Sequence, residues 1–442
     1  MPWPGRSLCS TALVRAALLA VCAGAGAGCG DNLPPTFDAP PDGAADAAAR
    51  DARVDAAPSG MVRVTVHHLG VAAEAALVGF HQADGTLVTM VQTDSAGLAE
   101  ALVEAGTWVT AVVDPAGPDA ALYTIAEVAP GDVLTIGAAS ARPPTRMTFN
   151  LPTRAGAAGH RLFFGRCGEF TPTAATVTLD LECRPGAVTD LVVVAVDGAG
   201  QPLAATLREE LTVSAGATVT VLADWVDATA VAVTYRGLDP AATSLGASLS
   251  SERPSGRAVT GPAATLTATA GVATTSLATV TLADSRAVHH LRLADGVGAQ
   301  NRHDGSEPAA SYDRDVGAEL LPWLTAAPTF ELAARRLRWT TRSGGASADA
   351  VVASVAFARA GASPVDGRWS VVAPAATELV LPVLPWAPAT LQPSSGDTTG
   401  TSVRLVGGSD GYPGLRAFAL TPSLDRFAGP GRLITSGLAV AE

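Results

Sequence analysis

Residues 175–183 alternate with period two. Ala175, Val177, Leu179, Leu181 and Cys183 share one side, and Thr176, Thr178, Asp180 and Glu182 share the other. Successive strand side chains point to opposite faces, so such a stretch reads as a half-buried β-strand. The pattern recurs where Val62, Val64 and Val66 interleave with Arg63, Thr65 and His67, and again at Ala76, Val78 and Phe80. Turn chemistry separates the runs: Asp84-Gly85, Thr93-Asp94-Ser95-Ala96-Gly97, Pro130-Gly131-Asp132 and Asp197-Gly198. Aspartate can cap backbone amides there and glycine can take positive φ. The chain is therefore predicted to be all-β, a tandem set of β-sandwiches.

At 442 residues it has room for several such units. Their cores must be built from small side chains, because aromatic residues make up only 5% while hydrophobic residues reach 48%. We expect four folded units, at 61–140, 141–238, 239–325 and 326–442. The third is the least defined, with a Thr/Ala/Val run from Ala258 to Ala283. In the fourth, Trp339 on an early strand predicts a sandwich of immunoglobulin or fibronectin type, with one tryptophan between the sheets.

The amino-terminal sequence sets the expected compartment. Arg6 and Arg15 precede a short apolar run, Ala16 to Ala23, that is too brief for a spanning helix and reads as a signal core. Ala27 and Gly28 then stand before Cys29. This resembles the bacterial lipobox, which implies removal of residues 1–28 and acylation of Cys29; Gly26 departs from it, standing where leucine is usual. Residues 29–60 follow as an Asp/Pro/Ala-rich linker, expected to be disordered and to hold the folded part away from the membrane. Of five cysteines, Cys9 and Cys22 leave with the signal and Cys29 is lipidated. Cys167 and Cys183 remain as an expected disulfide in an oxidising compartment.

The run ending in Phe80, the Asp84-Gly85 and Thr93-to-Gly97 turns, and Ala105-Gly106-Thr107-Trp108 resemble carboxypeptidase regulatory-like, or transthyretin-like, modules. The resemblance covers under a fifth of the chain. It implies a non-catalytic spacer. The whole layout is similar to uncharacterised exported lipoproteins of G+C-rich Gram-negative bacteria, on Thr178 to Cys183, Tyr235 to Leu249, Leu337 to Ser343 and Trp369 to Leu384. That type carries no assigned activity.

Charge and motifs narrow the function further. A net charge of -12 argues against nucleic acid as a partner. All 29 cationic side chains are arginine, which excludes lysine-dependent chemistry such as a P-loop or a Schiff base. We find no Gly-x-Ser-x-Gly elbow and no His-Glu-x-x-His. His67-His68 and His289-His290 are adjacent pairs whose members point to opposite faces of a strand, so a surface or rim position is expected for them and for His81. No catalytic residue, metal ligand or cofactor is assigned. Tyr412, in an expected exposed loop Asp410 to Gly414, and Trp386 and Trp323, beside prolines, are the candidate binding aromatics.

The expectation is a non-catalytic lipoprotein of the cell envelope, at the outer membrane, acting as a structural or interaction scaffold. The alternative is a module binding envelope polysaccharide or surface protein, or an accessory to an exported hydrolase.

Overall fold

The computed structural model describes residues 59–439 apart from 69–70, 116–120, 138–143, 255, 360–364, 409 and 418–432. The signal, Cys29 and the acidic linker up to residue 58 lie outside the described residues. What is described is all-β, with one short helix, Gly411–Arg416, and three 3-10 turns.

The alternating runs form strands as their pattern dictates. Strand Ser59–His68 buries Val62, Val64 and Val66 completely, and strand Leu77–His81 buries Val78 and Phe80. The turn after Gln92 closes on Asp94, whose Oδ1 accepts from the amides of Ala96 and Leu98 at 2.8 and 2.9 Å. Gly97 completes it at φ +74°, with its Cα facing the Val66 carbonyl so closely that a Cβ would lie 2.4 Å from that oxygen. The Asp197 turn uses the same design. Asp197 Oδ1 caps Ala199 and Gln201, and the left-handed residue is Gly200.

One thirteen-stranded sheet organises the chain. Its path runs through strands Gly256–Thr260, Ser244–Arg253, Arg286–Ala294, Ala299–Ser306, Leu433–Ala439, Thr398–Gly408, Ala350–Arg359 and Val365–Pro374. It then continues through Ala121–Val128, Thr107–Val113, Leu77–His81 and Leu87–Gln92, and Ala264–Leu266 pairs off the path. Three small sheets pack on it, each closing its own core. Strands Ser59–His68, Leu98–Glu104 and Val133–Ile136 close the core around Val62, Phe80 and Val109. Strands Arg336–Arg338 and Glu378–Val380 close the one around Trp339, Val351 and Trp369. Strands Thr229–Arg236, Ala273–Thr279 and Ser311–Asp315 close the one around Val233, Leu245 and Leu291. The polar run from residue 301 to 315 is largely strand: residues 299–306 and 311–315 both pair. Charged and amide side chains survive there because Gln300 and Arg302 find buried partners.

Residues 145–227 make a separate two-sheet sandwich, with Met147, Phe149, Leu162, Phe164 and Leu191 between a three-stranded and a five-stranded sheet. It packs on the third unit through a second apolar cluster, in which Phe163, Val192 and Val194 meet Val259, Val280 and Leu282. Arg253, with its side chain 7% exposed, crosses the same junction to Asp190 at 3.1 Å and to Glu209.

Candidate functional site

Strands Ala121–Val128 and Val365–Pro374 pair in parallel, with Ala121 opposite Arg368 and Ile125 opposite Val372. This seam joins the amino-terminal and carboxy-terminal sandwiches into one sheet. It is fastened on both faces. On one, Trp369 is fully buried and its Nε1 donates to Thr124 Oγ1 at 2.8 Å. Thr124 bonds Thr110 at 2.8 Å, and Thr110 bonds His81 Nε2 at 2.8 Å. His81 Nδ1 completes the chain to the Gln82 carbonyl, which accepts if that nitrogen carries the proton. Burial pushes the His81 pKa down, against the Gln82 hydrogen bond and the nearby Asp84 charge. Trp108 and Trp386 flank the imidazole at 6.4 and 6.0 Å between ring centroids. The Arg335 guanidinium lies 5.3 Å from the Trp369 ring centroid.

On the other face, helix Gly411–Arg416 fastens the seam. Tyr412 Oη donates to the Ala126 carbonyl at 2.5 Å, and Arg416 donates to the Glu127 carbonyl at 2.8 Å and pairs with Asp132 at 2.7 Å. Burial raises the Tyr412 phenol well above its ordinary range, so it stays a donor.

The expected binding aromatics are thus placed differently. Tyr412 is not on an exposed loop; Gly411, at φ +61°, opens a helix that turns the ring inward onto the core around Phe80. Trp323 is 3% exposed in the core around Val233, on a segment that pairs with residues 340–342, its carbonyl accepting from the Arg342 amide at 2.8 Å. Trp386 is half-buried, its ring seated over Gly79, where a Cβ would lie 2.3 Å from it. The three do not converge on one surface: Tyr412, Trp386 and Trp323 pack on three different cores.

Cys167 and Cys183 form the expected disulfide, with Cα atoms 5.1 Å apart. The strands around them are not partners. Cys167 sits in the 3-10 turn Gly165–Cys167 at the end of one sheet, whereas Thr176–Leu181 belongs to the other and pairs with Thr145–Asn150. The bond therefore staples the two sheets of this sandwich, reinforced by the Glu182 amide donating to the Cys167 carbonyl at 2.9 Å.

The histidines divide by face. His81 and His289 are buried, not rim residues: Trp108 and Trp386 cover His81 on the face opposite Val78 and Phe80, and Leu291 and Leu293 continue the core face beside His289. His290 lies on the opposite, outer face. Its Nε2 is 2.6 Å from Ser250 Oγ and its Nδ1 is 2.7 Å from His303 Nδ1, with the two rings at 86°. Beside this pair a groove of about 250 Å³ crosses strands Ser244–Arg253, Arg286–Ala294 and Ala299–Ser306. Among the described residues no group of three His, Cys, Asp or Glu could hold a metal ion. The His290–Ser250 contact was missed because it is diagonal across strands, and only the register reveals it.

No protein-family model matches the chain, and no curated protein matches it. Solved structures overlap it weakly. The shaft pilin SpaA of Lactobacillus rhamnosus GG is 8% identical, with 37% of this chain and 97% of that one covered and a TM-score of 0.15. The major pilin subunit BcpA of Bacillus cereus is 10% identical, with 58% and 98% covered and a TM-score of 0.15. The Bacillus anthracis TIE protein is 13% identical, with 58% and 50% covered, also at 0.15. At TM-scores this low the overlaps say nothing about ligand or partner.

Proposed function

We propose that the chain is a non-catalytic scaffold of the cell envelope, held by a lipid on Cys29 and presented on the acidic linker that ends near residue 60. The seam between strands Ala121–Val128 and Val365–Pro374 carries this reading. It buries a polar chain of four side chains, Trp369 among them, where flexible tandem modules would have a linker. Inter-domain contacts within a chain ordinarily permit relative motion. A hydrogen-bonded sheet with a buried aromatic does not, and stiffness serves spacing and display. The anchor rests on the sequence alone: the signal core and the small residues before Cys29.

The test is fractionation of cells producing the wild-type chain and Cys29→Ala. The wild type is expected with membranes and the variant in the soluble fraction. A variant that stays membrane-bound, or a mature amino terminus far from position 29, defeats the anchor. The groove beside His290 favours a second reading, a protein that binds an envelope saccharide.

A further inference from the structure

The groove on the outer face of the long sheet has a regular polar layout. One cross-strand row reads Thr265, Gly246, Arg292, Asn301, each opposite the next. The neighbouring row on the same face reads Ser248, His290, His303. Strand geometry spaces these groups by ~4.8 Å across strands and ~6.8 Å between rows. That grid is about the size of one sugar ring.

Three features give the groove a sign and a shape. None of its lining residues is acidic, in a chain with 41 acidic and 29 basic side chains. Arg292 is exposed and has no partner among the described residues, although the arginines around it are paired: Arg302 with Glu319 and Asp304, Arg286 with Glu252. Gly246 leaves an open slot between Thr265 and Arg292; its missing side chain would meet only the Ala264 carbonyl, at 3.9 Å. Around the slot, the His290 ring is held between His303 and buried Ser250, so less ordering is needed on binding.

We propose that this groove binds a carboxylate-bearing sugar of an acidic polysaccharide. The ring lies on Gly246, the carboxylate takes both arms of the Arg292 guanidinium, and Ser248, Asn301 and Thr265 meet the hydroxyls. Arginine suits a carboxylate because its planar fork matches the two oxygens. The proposal rests on the saccharide-binding reading above and names its site and ligand class.

The test is calorimetric titration of the full chain at low ionic strength with a uronic-acid trisaccharide, its neutral reduced counterpart and inorganic phosphate. The uronate is expected to bind, with the neutral sugar and phosphate each at least tenfold weaker. Arg292→Gln is expected to weaken uronate at least tenfold. Gly246→Val, which fills the slot without touching the core, is expected to abolish binding with the unfolding midpoint unchanged. No heat with uronate overturns the proposal, as does phosphate or the neutral sugar binding equally well. Uronate binding that survives both substitutions overturns the groove while leaving a saccharide-binding protein standing.

Discussion

Trp369 Nε1 donates to Thr124 Oγ1 across 245 residues of sequence. Both side chains are fully buried, so neither can turn to water if the other is lost. Trp369→Phe keeps most of the ring and removes the donor. The Thr124 hydroxyl keeps its bond to Thr110, so the lost hydrogen bond costs on the order of 1 kcal/mol, and the smaller ring adds a packing loss. The midpoint of guanidinium unfolding, followed by circular dichroism, should fall accordingly. Thr124→Val removes the other partner and should cost less in combination with Trp369→Phe than the two costs added. Strict additivity would mean that the bond contributes nothing to the seam.

The disulfide gives a second expectation. Cys167 and Cys183 are 16 residues apart and tie one sheet of their sandwich to the other. A loop near 15 residues is worth about 3 kcal/mol in the chain-entropy account. Reductant, or Cys167→Ser with Cys183→Ser, should lower the first unfolding transition and speed proteolysis within residues 145–227. Residues 59–136 should be unaffected, because the disulfide touches none of their contacts. Equal destabilisation of both regions would mean that the sandwich and the long sheet unfold as one.

Local signals made much of this fold legible. Val62, Val64 and Val66 declared their strand by period two, and Asp94 with Gly97 declared its turn, because both depend on neighbours a few residues away. The seam was not legible. Nothing in Thr124 or Trp369 marks a parallel pairing across 245 residues. Trp339 is buried between the sheets as expected, but Trp369, fully buried in the same core, carried no such signal. Tyr412 misled for a related reason. A Gly-Tyr-Pro-Gly stretch has loop composition, yet it folds as a short helix because the Ala126 carbonyl and the core around Phe80 receive the ring. The groove was invisible too: Gly246, Arg292 and Asn301 become neighbours only through register.

Acid should weaken the fold through its buried histidines. His289 is 2% exposed, edge-on to Tyr312 at 4.3 Å. Burial, helped by the Arg314 charge and opposed by Asp304, pushes its pKa down to about 4 from 6.5. The unfolded chain therefore takes up this proton first. Stability is intact above pH 6.5 and falls as the pH drops toward 4. The loss amounts to on the order of 3 kcal/mol at about 1.4 kcal/mol per unit. His81, also lowered by burial, adds a loss of the same sign. Denaturant midpoints at pH 7.5 and 4.5 measure it, and His289→Asn should shrink the difference. An undiminished pH response in that variant would assign the effect elsewhere.

Gly79 and Trp386 test how the carboxy-terminal unit closes over the amino-terminal one. Gly79 lies in strand Leu77–His81, and the Trp386 ring occupies the space a side chain there would fill. A Cβ at 79 would stand 2.3 Å from two ring carbons, closer than any contact can be, so Gly79→Ala must move the indole. The strand backbone itself tolerates alanine, since Gly79 has no left-handed φ. Overpacking of this kind costs typically 1–3 kcal/mol. The displaced ring would also uncover the fully buried His81 imidazole that it flanks at 6.0 Å. Gly79→Ala should therefore lower the unfolding midpoint, shift tryptophan emission to the red and increase quenching by acrylamide. Trp386→Ala should relieve the strain, so the double variant should be less destabilised than the two single costs combined. An unchanged emission spectrum in Gly79→Ala would show that Trp386 does not rest on this strand in solution.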